Sequence, residues 1–178
     1  MKTLLSSEGR KRLLRIILEN PSEAVGVRTA ARGCGLSPAS VSLFMQSLSK
    51  EGVLKEGKPD LENPEVRALK ILINAERLYP AFKYLERNFG VKGMGMYGSW
   101  THGTNAEGEE LDAWVLMVKV PEEGEARRLG AELAAVADVP AANVVFLTRE
   151  RIEEMREKKS ILYAALFNSF RIGGEGID

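Results

Sequence analysis

The chain has 178 residues, 25 Lys/Arg against 25 Asp/Glu, and a composition 44% hydrophobic and 28% charged, which describes a globular protein with a core and excludes a disordered one. No apolar run reaches the eighteen or so residues a membrane helix needs, and no signal-peptide order opens the chain, so a cytoplasmic protein without membrane partners is expected. A single cysteine, Cys34, and a single histidine, His102, exclude internal disulfides and Cys/His-clustered metal sites. Taken in order, Ser6-Ser7-Glu8 can cap a helix whose apolar positions Leu13, Leu14, Ile16, Ile17 and Leu18 recur until Asn20-Pro21 stops it. Val27 to Gly33 reads as a short second helix, ended by Gly33-Cys34-Gly35. Ser37-Pro38 opens a third, with serine as cap and proline where its missing N–H costs nothing. Val41, Met45 and Leu48 form its inward stripe with Phe44 beside them, and Cys34 reads as a small buried filler.

Ala31, Gly35 and Val41 stand at the small, glycine and apolar positions of a helix-turn-helix. Gly52-Val53-Leu54-Lys55, the turn at Glu56-Gly57 and Pro59-Asp60-Leu61 add a hairpin. Residues 1–62 therefore resemble a winged helix-turn-helix. The resemblance implies DNA as partner, with Ser37, Ser40, Ser42 and Gln46 toward base edges and Arg28, Lys50, Lys55 and Lys58 near phosphates. Residues 1–60 hold ten Lys/Arg against six Asp/Glu, which suits modest phosphate contact. The third helix has no arginine, and no lysine before Lys50, so it lacks the usual guanine reader.

Residues 63–90 read as connecting helices. The first runs from Asn63-Pro64 to Leu78, with the stripe Val66, Leu69, Leu72 and Ile73 to pack against the winged module or against a homodimer partner; Pro80 breaks it, and Ala81 to Phe89 forms another. Beyond lie a strand from Val91 to Tyr97, a polar loop, a strand from Leu111 to Val120, a helix from about Glu122 to Val136 and a strand from Asn143 to Leu147. A charged helix from Arg149 to Lys158, an apolar one from Ile161 to Phe167 and an edge strand at Arg171-Ile172 complete the chain. Trp100 and Trp114 read as packing residues, and His102 as a solvent-facing loop residue.

The most informative stretch is Tyr97–Val120. Gly98-Ser99 is followed, ten residues later, by Glu110-Leu111-Asp112 at the head of an apolar strand. Side chains at i and i+2 share a strand face, so Glu110 and Asp112 converge while Leu111 turns to the core. This spacing resembles the minimal nucleotidyltransferases of the DNA polymerase beta superfamily, with Gly103 where those proteins usually carry a glycine. The resemblance covers residues 91–178 and implies a mixed sheet flanked by helices, hence an α+β or α/β chain of two modules. It implies nucleoside triphosphate binding by Gly98, Ser99, Thr101 and Gly103, with help from Thr104, and a catalytic, Mg²⁺-binding pair in Glu110 and Asp112. Two residues depart from the pattern: Glu110 stands where aspartate is expected, and Asn143 stands where a third acid would come from the later strand. An amide cannot serve as a base. The leading expectation is a DNA-binding regulator with a catalytically weak or inactive nucleotidyltransferase-like domain. The alternatives are an active Mg²⁺-dependent transferase of nucleoside monophosphate to a protein or small molecule, and a scaffold in which neither site binds.

Overall fold

The computed structural model describes residues 7–19, 21, 23–106 and 108–178. Ser6 and Asn20, expected at the ends of the first helix, lie outside the described residues. The chain is mixed α+β, with eight helices, a four-stranded mixed sheet and a two-stranded antiparallel sheet among the described residues. It divides into two compact units, Met1–Lys70 with Gly103–Glu107, and Ile71–His102 with Gly108–Asp178.

In the first unit, α1 spans Glu8–Glu19, α2 Val27–Cys34 and α3 Pro38–Lys50. Ser7 supplies the α1 cap, its Oγ accepting from the Arg10 amide at 3.3 Å. Leu13, Leu14, Ile17 and Leu18 are buried, together with Ala30, Ala31 and Cys34 of α2 and Val41, Phe44 and Leu48 of α3. Met45, expected inward, is only half-buried, and Phe44 fills that place. Gly35 ends α2 at φ +69°, its amide bonding the Ala31 carbonyl, a left-handed cap that favours glycine. Strands β1 (Leu54–Lys55) and β2 (Lys58–Pro59) pair antiparallel. The buried Lys70 ammonium donates to the Asn105 carbonyl, which binds the 103–107 loop to this unit.

Helix α4 runs unbroken from Pro64 to Phe89, and this corrects the expected break at Pro80. Proline removes one backbone donor and strains the preceding turn. Leu78, Ala81, Phe82 and Leu85, on either side of it, are nearly fully buried while Pro80 itself faces solvent. Burial of four apolar side chains, each worth on the order of 1–3 kcal/mol, outweighs the loss of one backbone donor. The stripe expected to face a dimer partner is spent within the chain: Val66, Leu69 and Ile73 are buried, and Leu72 alone is exposed.

In the second unit the strand order is β5-β4-β3-β6, with β3 at Gly93–Met96, β4 at Leu111–Leu116, β5 at Ala142–Leu147 and β6 at Phe170–Gly174. β4 pairs antiparallel with β3 and parallel with β5; β6 pairs antiparallel with β3. Helix α5 is a single turn, Ser99–His102, where a loop was expected, and β4 ends four residues earlier than its apolar run. Helices α6 (Glu123–Ala137), α7 (Arg149–Glu157) and α8 (Ile161–Phe167) follow the expected order. One face of the sheet packs Met94, Met96, Leu111, Ala113 and Val115 with Phe82, Trp100 and Leu133. The other packs Trp114 and Leu116 with Leu147, Ile152, Leu166 and Ile177. Gly95 lies directly opposite Trp114 in the ladder, and a Cβ there would collide with the indole. Gly95→Ala is therefore expected to destabilise the protein by about 1–3 kcal/mol, through overpacking of a closed core. Urea unfolding followed by Trp fluorescence measures it, and a midpoint equal to wild type would show that the Trp114 ring can move aside.

Candidate functional site

Parallel pairing sets Asp112 of β4 beside Asn143 of β5. Leu111 is fully buried, so the residues on either side of it, Glu110 and Asp112, stand on the opposite face of the strand. There the Asn143 amide bridges them, its Nδ2 donating to Glu110 Oε2 at 2.9 Å and to Asp112 Oδ1 at 3.3 Å. Two carboxylates drawn together would repel; one amide between them supplies both with a donor.

The turn after β3 closes on the same acids. Gly98 has φ +65°, a conformation that favours glycine, and a Cβ there would stand 2.8 Å from Asp112 Oδ2, which would have to move aside. Its carbonyl accepts from the Thr101 amide at 3.1 Å and the Thr101 hydroxyl at 2.8 Å. His102 Nδ1 lies 2.7 Å from the same oxygen, which makes Nδ1 the protonated nitrogen. Trp100 anchors the turn from below: its indole N–H donates to the Glu110 carbonyl at 2.9 Å, and its own carbonyl accepts from Asn74 of α4 at 3.0 Å. Tyr97 bonds the Asp112 carbonyl through its amide at 3.0 Å. Partial burial, and secondly the Asp112 carboxylate, push its phenol above the usual tyrosine range.

Of the residues expected at a nucleotide site, Gly98, Ser99, Thr101, Glu110 and Asp112 belong to the unit that holds this sheet. Gly103 and Thr104 belong to the other unit, where a Cβ on Gly103 would collide with the Arg67 carbonyl; close backbone packing accounts for that glycine. The Ser99 hydroxyl donates to the Glu109 carboxylate, a partner the motif did not indicate. Asn143 was expected at the third-acid position, and the pairing of β4 with β5 adds that its amide bonds both acids; Tyr97 was not expected among the site residues. Among the described residues, no three His, Cys, Asp or Glu side chains gather as a metal-binding group.

In the first unit, Arg28, Ser37, Ser40, Gln46, Lys50, Lys55 and Lys58 are exposed, and Ser42 is half-buried. Ser37 is the α3 cap: its Oγ accepts from the Ser40 amide at 3.1 Å and lies 2.8 Å from the Ser40 hydroxyl, so the two serines satisfy each other. Ser42, Gln46, Ser49 and Lys50 line a shallow cleft of about 320 Å³ with Gly57 of the hairpin turn. Leu43, 67% exposed, projects from the middle of α3, and the Arg10 guanidinium lies over the Phe44 ring at 5.3 Å.

Comparison with protein-family models, with curated proteins and with solved structures finds no match to this chain. No described helix is long and apolar enough to cross a membrane.

The raised phenol of Tyr97 has a definite sign. Folded Tyr97 holds its proton above the pH at which an unfolded tyrosine loses it, so its contribution to stability is complete below about pH 10 and falls as pH rises further. In an ultraviolet titration two tyrosines are expected to ionise later than ordinary ones, Tyr97 and also Tyr84, which is raised by its bond to Glu132. In a Tyr84→Phe background the remaining late tyrosine is expected to disappear in Tyr97→Phe and to titrate earlier in Asp112→Asn; one unmoved by Asp112→Asn would leave burial as the sole cause.

Proposed function

We propose that the chain is a DNA-binding regulator: a winged helix-turn-helix joined to a nucleotidyltransferase-like domain that takes up a nucleoside triphosphate and transfers weakly or not at all. The observation that carries this reading is the Asn143 amide bridging Glu110 and Asp112. It occupies the face toward which a third acid would point, and it has no proton-accepting power with which to activate an attacking hydroxyl.

The two carboxylates beside a glycine turn suit a hard divalent cation, whose preferred ligands are oxygens and which accepts water and phosphate oxygens for the remainder. Glu110 and Asp112 would hold Mg²⁺, which when bound neutralises phosphate charge. The chain's own residues do the rest. Gly98 keeps the backbone close to Asp112, Trp100 fixes the turn against the Glu110 carbonyl, and Ser99 exchanges its bond to Glu109 for a phosphate oxygen. The longer Glu110 side chain reaches the site from just outside β4, so the pair still meets although the strand starts one residue later.

Supporting a nucleic-acid face are the left-handed cap at Gly35, the buried Ala31 and Val41, and the exposed row of Gln46, Lys50, Lys55 and Lys58. Leu43 offers an apolar contact of the kind that meets thymine methyl groups, which compensates for the missing arginine.

Calorimetric titration of ATP and the other triphosphates is expected to give binding that requires Mg²⁺, falls at least about tenfold in Asp112→Ala, and proceeds without product. Asn143→Asp, which restores a base at that position, is expected to add measurable transfer or hydrolysis. Rapid turnover by wild type would sink the regulator reading and favour the transferase. For the first unit, selection from random DNA followed by gel shift should yield a preferred sequence. Lys50→Ala should weaken binding to all sequences and reduce the salt slope by about one, while Gln46→Ala should relax the preference itself. Equal affinity for every sequence at physiological salt would count against regulation.

A further inference from the structure

Three acids stand within four residues at the head of β4: Glu109, Glu110 and Asp112. The Asn143 amide holds the last two. Glu109 is diverted to a different donor, its carboxylate accepting the hydroxyl proton of Ser99. That contact is built into the chain. Ser99 follows Gly98 at φ +65° and Glu109 follows Gly108 at φ +77°, so each side chain leaves a turn that favours glycine. Their next neighbours are bonded to each other, the Trp100 indole donating to the Glu110 carbonyl at 2.9 Å, and Asn74 holds the Trp100 carbonyl at 3.0 Å. This cross-brace keeps Ser99 and the half-buried Glu109 face to face.

We propose that Glu109 is a built-in competitor for the phosphate of the nucleotide: it fills the donor on Ser99 that a phosphate oxygen would use, so the resting site inhibits itself. The inference rests on the reading of this site as a triphosphate site. A carboxylate is the side chain closest to a phosphate in chemistry, an anion that only accepts hydrogen bonds. The contact is thus a stand-in for the ligand, with the Glu109 carboxylate in the role of a phosphate oxygen. A hydroxyl has one proton to give, so Ser99 serves Glu109 or the ligand and not both. An arriving phosphate also meets the like charge of Glu109 and must displace it. Binding is therefore the exchange of one anion for another. The measured affinity is the intrinsic one reduced by the fraction of molecules in which Glu109 has swung away. Glu110 and Asp112 take no part in the latch, because Asn143 holds them separately.

The experiment is calorimetric titration of ATP with Mg²⁺ into the full chain as wild type, Glu109→Ala and Glu109→Asp. Removing a charge-assisted bond that competes with the ligand is expected to tighten binding about tenfold in Glu109→Ala. Glu109→Asp keeps the charge but draws the carboxylate back by about one ångström, out of reach of Ser99, and is expected to bind several-fold tighter as well. Binding by the variants where wild type shows none would support the inference in its strongest form. Variants equal to wild type, or weaker because Glu109 helps to hold the ligand, would overturn it and leave the triphosphate reading standing. Tightening in Glu109→Ala with none in Glu109→Asp would mean that only the charge matters, and would overturn it too. No binding by wild type or by either variant would overturn the inference together with the reading on which it rests. Urea midpoints identify a variant that has lost its fold, and Glu109→Asp, the milder change, then carries the test alone.

Discussion

The parallel ladder between β4 and β5 is the constraint on which the second unit depends. It is the only parallel pairing among the described strands, and a parallel neighbour requires the chain to cross back over the sheet. Helix α6 makes that crossing, burying Leu129, Leu133 and Ala137 against the same face that receives Leu111, Ala113 and Val115. Once the crossing is fixed, so is the register, and the register decides which side chain of β5 stands beside Asp112. A slip of one residue would send Asn143 to the opposite face and leave Glu110 and Asp112 without their shared donor. The site is therefore a product of core packing on the opposite face of the sheet.

Much of this was legible in the sequence because it rests on local rules. Gly35 after a short apolar helix, Ser37-Pro38 before the next, and the alternation through Glu110-Leu111-Asp112 each have a physical meaning readable within a few residues, and the structure places each in the conformation its chemistry favours. Where the reading failed, the deciding interactions lay far along the chain. Pro80 is a helix breaker by local rules, yet its neighbours Leu78, Ala81 and Phe82 are held in a core assembled from four strands. The turn at Ser99–His102 lacks helical length, but Trp100, pinned at both its indole and its carbonyl, winds it. The bond from Ser99 to Glu109 was equally invisible, and for Asn143 the sequence indicated the position but not the two bonds its amide makes, since no spacing rule sets hydrogen bonds between a turn and a loop or between two strands.

In the proposed reading the two units would recognise polar partners by opposite means. On α3, Ser37 and Ser40 are occupied with capping, so what the helix offers outward is Leu43, Gln46 and Lys50. Such a surface gains affinity from few charges and is correspondingly sensitive to fit. Around the acid pair, by contrast, several polar groups already have protein partners: Gly98 receives Thr101 and His102, Ser99 gives to Glu109, and Asn143 gives to both acids. A ligand entering there exchanges bonds and does not merely add them, which lowers net affinity and raises discrimination.

The Asn143 bridge also bears on how the site endures when nothing is bound. A cluster of three carboxylates stores like-charge repulsion that a cation must relieve, and such clusters loosen when the ion is withdrawn. Here the third member is a neutral donor, so the local charge is smaller by one and the acids are held by hydrogen bonds that need no ion. The resting geometry is thus self-supporting, and the cation of the proposed reading would meet two carboxylates already side by side.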